Sequence, residues 1–169
     1  MAFQYFGGID LMAIEGVSHS TILTLISEVG PDGFKEFQSA KHFTSWLRLA
    51  PNNMISGGKV LSHRIPKGSN RLKIALRQSA NAIGNLKDTH LSDFFRRVAF
   101  RKGRQAAVSA TARKLAVIIW NMTYKKVQYQ PAKEYLFLDQ RRKLKMMERI
   151  KKQITKFEFT SEQLGFTTN

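Results

Sequence analysis

The sequence predicts a mainly α-helical fold: a helix-hairpin-helix-like N-terminal part, a glycine-containing loop or short β-hairpin, then a helical bundle and a basic C-terminal helix. Three observations carry that expectation. Apolar residues recur at three- and four-residue intervals in several separate windows, which places them on single helical faces. Ser, Pro and Gly stand at the edges of those windows, where capping and helix-breaking chemistry puts them. Between Asn52 and Gly68 the helical period is lost and Gly57-Gly58 and Pro66 punctuate the chain. With 169 residues the chain has room for one ordinary domain with an extension. Residues 1–130 are assigned to that domain, with the helix-hairpin-helix-like segment at 9–30, and residues 131–169 to a basic helical extension and tail.

In chain order, Leu11 and Ile14 mark a short first helix that Gly16 breaks. Ser18 caps the next, whose apolar stripe is Ile22, Leu25, Ile26 and Val29 before Gly30 stops it. In a helix-hairpin-helix the turn aims backbone N–H groups at a DNA phosphate and needs small residues there. Here the turn is Gly16-Val17-Ser18 in place of glycine-apolar-glycine, so an ordinary αα-hairpin serving the core stands beside the DNA-binding reading. Ser39 caps a helix expected to run through Leu49, with Phe43, Trp46 and Leu47 buried and Pro51 closing it. A helix resumes near Asn70, with Leu72, Leu76, Ala80 and Ile83 on one face and Lys73 and Arg77 on another. Residues 90–101 form a shorter helix through Leu91, Phe94, Phe95 and Val98. After the basic turn Arg101-Lys102-Gly103-Arg104, a long helix to about Tyr124 places Val108, Ala112, Leu115, Ile119 and Met122 on a buried seam. Pro131 suits the first turn of a last helix, 132–156, in which Leu136, Leu144, Met147, Ile150 and Ile154 alternate with Arg and Lys. That helix lies on nucleic acid, pairs with another copy, or is solvated.

The net charge is +16, from 28 Lys and Arg against 12 Asp and Glu, and it is unevenly spread. Residues 1–58 carry 3 basic and 5 acidic groups, residues 59–126 carry 16 and 2, and residues 127–169 carry 9 and 5. A nearly neutral head joined to a strongly cationic centre is the pattern of a binding surface on a folded support. Its expected partner is a polyanion, nucleic acid ahead of an acidic membrane surface or an acidic protein. The absence of cysteine excludes disulfides and thiolate chemistry and fits a cytoplasmic protein. A mean hydropathy of −0.30 and the lack of a long uncharged apolar run argue against a membrane span or export signal. His19, His42, His63 and His90 are scattered without metal-ligand spacing, and they read as surface or capping residues. Trp46 and Trp120 read as core.

The loop Met54-Ile55-Ser56-Gly57-Gly58-Lys59 joins a hydroxyl, two glycines and a cation. Glycines let a backbone approach a phosphate and a neighbouring lysine offsets its charge, although Ser-Gly-Gly also occurs in plain turns. Arg96-Arg97 and Arg101-Lys102-Gly103-Arg104 read as a phosphate-contacting patch or a solvated face. Around the loop lie other short pieces. They are Leu25-Ile26-Ser27-Glu28-Val29-Gly30, Phe37-Gln38-Ser39-Ala40-Lys41, Leu49-Ala50-Pro51, Ile65-Pro66-Lys67-Gly68-Ser69-Asn70-Arg71-Leu72, and Lys102-Gly103 before Ala110-Thr111-Ala112-Arg113-Lys114-Leu115.

In this order, from Leu11 to about Tyr129, the pieces resemble the C-terminal transposase domain of the DEDD-type insertion-sequence transposases, the bridge-RNA-guided serine recombinases. Two positions depart from that pattern: Ser18 replaces the second glycine of the hairpin, and Lys67-Gly68-Ser69-Asn70 replaces a segment in which glycine directly precedes Asn. The last forty residues lie beyond the resemblance. It implies a DNA recombinase fragment in which Ser56 is the nucleophile that becomes joined to DNA. The implied DNA-contacting set is Gly16, Ser18, Gly57, Gly58, Lys59, Arg64, Lys67, Asn70, Arg71, Arg96, Arg97, Arg101, Lys102, Arg104, Arg113 and Lys114. It also implies that divalent metal, Mg, is held by the DEDD carboxylates of an N-terminal RuvC-like domain. That domain is expected to be lacking here, which would leave the isolated chain inactive. No metal ligand or cofactor is assigned to the chain itself, and residues 37–87 contain no acid at all. The expected partners are DNA, a guide RNA and, at full length, further copies of the protein, with no membrane. The alternative is a non-catalytic nucleic-acid-binding module for DNA or structured RNA.

Overall fold

Helix α1, His19–Val29, starts where Ser18 turns extended (φ −109°) and its Oγ accepts the Thr21 N–H at 3.3 Å. It stops at Gly30, whose φ of +73° suits glycine. The computed structural model describes residues 5–30, 32–51, 53–62, 65–68, 70–131 and 134–157. Side chains at 60, 134–143 and 145 lie outside the description. The fold is mainly α-helical, as the sequence predicts. Six helices and one two-stranded hairpin are present among the described residues, and the chain divides into two units, Met1–Gln130 and Pro131–Asn169.

In the first unit the segment before α1 is a single 3-10 turn, Leu11–Ala13, capped by Asp10, which accepts the Met12 N–H at 2.9 Å. Gly16 follows with φ +76°, and a Cβ there would lie 2.5 Å from Ile83 Cγ1 and 3.0 Å from the Ser79 carbonyl. Only glycine lets this turn close onto the next helix but two, α3. One residue past Ser20, the buried Thr21 hydroxyl lies 3.0 Å from that of Ser79, fastening α1 to the same place.

Helix α2, Ala40–Trp46, is capped by Ser39 as expected but ends three residues short of Leu49. Leu47 and Leu49 are both fully buried, and at about 100° per residue a continuing helix would point them to nearly opposite sides. The chain resolves this by placing Arg48 in the left-handed region (φ +52°), with the Leu49 and Ala50 N–H groups both donating to the Thr44 carbonyl. Trp46, expected in the core, is 40% exposed. Phe43 and Leu47 take the inward positions, and the indole lies at the rim against Phe37 and Phe43. Trp120 is buried, its Nε1–H donating to the Phe37 carbonyl at 3.2 Å.

Helix α3, Arg71–Ile83, buries Leu72, Leu76, Ala80 and Ile83 completely. Helix α4, His90–Lys102, opens on a capping box between Thr89 and Ser92. Gly103, at φ +83°, links it to α5, Arg104–Lys125. Helix α5 is the wall against which α2, α3 and α4 all pack, while α1 packs on α3. Its buried seam is Ala107, Ala112, Leu115, Ala116, Ile119 and Met122, and the alanines allow neighbouring backbones to come near. In the second unit α6, Glu134–Lys156, exposes Leu144, Met147 and Ile150 together with Arg149, Lys151 and Lys152. No helix among the described residues is long and apolar enough to cross a membrane.

One polar cluster ties three distant segments of the first unit. The Tyr129 hydroxyl donates to Glu15 Oε2 at 2.7 Å and lies 3.3 Å from His90 Nδ1, which is 3.7 Å from Glu15 Oε1. His90 thus belongs to a nearly closed cluster, not to the surface, because its place at the start of α4 faces the turn before α1. Burial lowers its pKa from 6.5; Glu15 opposes the shift and Lys114 adds to it. Burial also raises that of Tyr129, followed by its hydrogen bond to Glu15. A histidine with a lowered folded pKa binds fewer protons folded than unfolded. Stability therefore falls as pH drops below about 6.5 and levels off below the folded pKa. Thermal melts across that window should show His90→Asn flatter with pH than wild type; parallel curves would remove His90 as the cause.

Candidate nucleic-acid interface

Strands β1, Met54–Ser56, and β2, Lys59–Ser62, pair antiparallel with Ser56 opposite Lys59 and Ile55 opposite Val60. The two linking residues, Gly57 (φ +54°) and Gly58 (φ +73°), both have the positive φ that a two-residue type I′ turn demands. A Cβ at either would meet nothing within 4 Å, so open space lies in front of the turn. Ser56 and Lys59 are exposed beside it. Met54, Ile55 and Leu61 are also exposed, at 59, 64 and 67%. A lone hairpin is marginal in water, so its geometry depends on what holds its base.

That base is held by two cations. Arg48 Nη1 donates to the Lys67 carbonyl at 2.8 Å, and Lys73 Nζ donates to the Gly68 carbonyl at 3.0 Å. Gly68 has φ +109°, and a side chain there would collide with the Arg48 guanidinium. The sequence places Lys73 on a polar face with Arg77, but the structure buries it to 8% exposure, because its amine reaches back to the loop instead of outward. Burial lowers the Lys73 pKa, and the positive charges of Arg77 and Arg48 add to the shift. Sequence reasoning missed both clamps. The available signal was a lysine five residues past a glycine at a helix start.

The structure gathers most of the sequence-predicted residues into two groups at opposite ends of α3. At the N-terminal end stand the hairpin, Lys67 and Arg71, both exposed, and Asn70, whose Oδ1 caps α3 by accepting the Lys73 N–H at 3.0 Å. Arg64 lies outside the described residues. At the other end is the α4–α5 corner. Arg104 donates to Asn81 Oδ1 at 2.7 Å and Asn85 Oδ1 at 3.1 Å, and Arg96 donates to the Leu86 carbonyl at 2.6 Å. Arg101 and Lys102 are exposed there, whereas Arg113, also exposed, lies away from the corner because α5 runs back along α3. Arg97 is half-buried; Lys114 lies over the Phe94 ring at 4.6 Å, its pKa lowered first by burial and then by Arg97. At 1.5 Å per residue the 13 residues of α3 separate the two groups by about 20 Å, roughly six base-pair steps. Gly16 is occupied by packing on Ile83. The Ser18 hydroxyl is engaged by the Thr21 N–H, the Thr21 hydroxyl and, at 2.8 Å, the Ser20 hydroxyl. Among the described residues no group of three or more His, Asp or Glu gathers to hold a metal.

Residues 10–96, just over half of the chain, match the sequence family described as transposase IS116/IS110/IS902. A search of curated proteins gives no match.

The clamp at the hairpin base distinguishes two glycine substitutions. Gly57→Ala meets only backbone strain, about 1–2 kcal/mol, whereas Gly68→Ala must also expel Arg48 from its carbonyl. Limited trypsin digestion under native conditions should cut at Lys59 and Lys67 much faster in Gly68→Ala than in Gly57→Ala. Equal rates would show that the clamp does not hold the loop.

Proposed function

The chain belongs to the IS116/IS110/IS902 transposase family, and from that premise we propose that it holds DNA at both ends of α3 and presents Ser56 as the nucleophile for strand exchange. The observation that carries this reading is the exposed Ser56 hydroxyl at a two-glycine turn with open space before it, paired with Lys59. Attack of Ser56 Oγ on a phosphodiester would form a phosphoserine ester and free a sugar hydroxyl. The ester keeps the energy of the broken bond for rejoining to another strand. Lys59 offsets charge on the phosphate, and Gly57 and Gly58 leave room for it.

A serine hydroxyl is a weak nucleophile and needs a base or a polarised phosphate beside it. The residues here do not fit a metal centre. Residues 37–87 contain no carboxylate, and no acidic or histidine cluster forms among the described residues. Our reading therefore assigns the magnesium-binding carboxylates to a RuvC-like DEDD domain of the full transposase and derives no metal step from this chain. We assign a guide RNA and further copies of the protein as partners, the exposed Leu144, Met147 and Ile150 of α6 being a surface suited to the latter. The bareness of Ser56 also favours a second reading, a module that binds nucleic acid without chemistry.

Joining the chain to the family's DEDD domain separates the two. Ser56→Ala should abolish the covalent protein–DNA adduct seen on denaturing gels while changing DNA affinity less than twofold. An adduct surviving in Ser56→Ala would exclude this serine, and none in the parent protein would favour the module.

Binding itself has a salt signature, with each neutralised duplex phosphate adding a slope of about 0.9 log unit per log unit of salt. Arg101→Gln with Lys102→Gln should weaken duplex binding and flatten that slope more than Lys151→Gln with Lys152→Gln, which removes the same charge from α6. The reverse ranking in filter-binding titrations would move the contact to the second unit.

A further inference from the structure

Between α3 and α5 lies an open groove of about 350 Å³ that the strand-exchange reading does not use. It is lined by Ile74, Arg77, Gln78 and Asn81 of α3, spaced to share one helical face, and by Val108 of α5. Its size falls at the lower end of the roughly 300–1,000 Å³ typical of small-ligand sites.

The floor is apolar. Ile74 is 47% exposed although it faces the groove, and Val108 is half-buried opposite. The polar groups around that floor are oriented by neighbours. Arg77 Nη1 donates to Ser109 Oγ at 3.0 Å, which draws the guanidinium toward α5. Arg104 donates to Asn81 Oδ1 through Nε at 3.2 Å and Nη2 at 2.7 Å, leaving the Asn81 Nδ2 donor for a ligand. Gln78 keeps both amide atoms unengaged among the described residues. Neither wall carries an acid: α3 bears Arg71, Lys73 and Arg77, and α5 bears Arg104, Arg113, Lys114 and Lys125.

We propose that this groove holds an unpaired base of a single DNA strand. Ile74 and Val108 contact the base plane, the Gln78 amide reads its edge, and Arg77 and Arg104 offset the flanking phosphates. An amide pairs in two places with adenine, so adenine is the preferred base. At about 350 Å³ the groove has room for a single base and none for a duplex. Breaking and rejoining strands exposes unpaired bases near the cut, and a groove about half the length of α3 from its hairpin end would keep such a strand from drifting. The inference rests on the DNA-binding reading above.

Fluorescence anisotropy with labelled oligo-dA, oligo-dC, oligo-rA and a duplex, at one moderate salt concentration, tests it on the chain as it stands. Gln78→Ala should weaken oligo-dA binding about fivefold or more and oligo-dC less. Ile74→Ser should weaken both DNA strands about fivefold. Both substitutions are at exposed positions, and both should leave duplex affinity within twofold. Duplex affinity falling in step with the strands, unchanged strand affinity in both variants, or binding of oligo-rA with none of oligo-dA would each overturn the groove assignment. Loss of salt-dependent duplex binding already in the wild type would instead overturn the reading on which it rests.

Discussion

The seating of α3 is the constraint on which the rest of this molecule depends. Leu72, Leu76, Ala80 and Ile83 have no exposed surface, and burial of each large side chain contributes about 1.5–3 kcal/mol. With α1 packed on one flank and α5 on another, the helix can neither rotate nor slide without exposing that face. Everything of chemical interest in the first unit is then placed relative to its ends. The hairpin hangs from its N-terminal end through Lys73 and Arg48, and the α4–α5 corner is fastened to its C-terminal end through Arg104. The turn at Gly16 closes on Ile83. A helix fixed so firmly works as a ruler between two cationic groups about 20 Å apart.

The cations themselves divide by what they touch. Arg48, Lys73, Arg96 and Arg104 give hydrogen bonds to loop carbonyls and amide oxygens, so part of the +16 charge is used to hold loops that have no apolar side to bury. Lys59, Lys67, Arg71, Arg101, Lys102 and Arg113 stand exposed. Loop carbonyls that would otherwise need water find charged donors, and such bonds are stronger than those between neutral groups. The cost appears at Lys73 and Lys114, where burial works against the ammonium. A polyanion laid across the surface would relieve repulsion among these groups, which links binding to the stability of the loops.

Local chemistry was legible in the sequence and distant contact was not. Ser18 and Ser39 cap their helices, Gly30 ends one, and the seam from Ala112 to Met122 faces inward, because each depends on residues within a turn or two, while Val108 is only half-buried. The end of α2 departs from the helical period because Leu47 and Leu49 both need the core, and a left-handed Arg48 satisfies them. Trp46 and Lys73 were misplaced for a related reason. Helical position sets the direction of a Cβ, but a long side chain finishes where its neighbours allow. His90, Glu15 and Tyr129 are 39 to 114 residues apart, and no spacing rule joins them. Of the candidate site, the hairpin and its glycines were readable from the Ser-Gly-Gly-Lys run. The clamps beneath it and the groove between α3 and α5 depend on tertiary packing.

The hairpin carries an unresolved demand that bears on how the serine acts. Met54, Ile55 and Leu61 face solvent, so these apolar side chains do not anchor Ser56, and the clamp at Lys67 and Gly68 holds the loop that follows the hairpin. A nucleophile misplaced by as little as an ångström loses on the order of a hundredfold in rate. Under the strand-exchange proposal, a partner covering those apolar side chains would add the precision at Ser56. The same contact that orders the strands would bring the serine to its phosphate. Under the strand-exchange proposal the hydroxyl of the free chain would not react, and serine and scissile bond would align only in the assembled complex. Such a dependence would restrain strand exchange at unintended places through geometry alone.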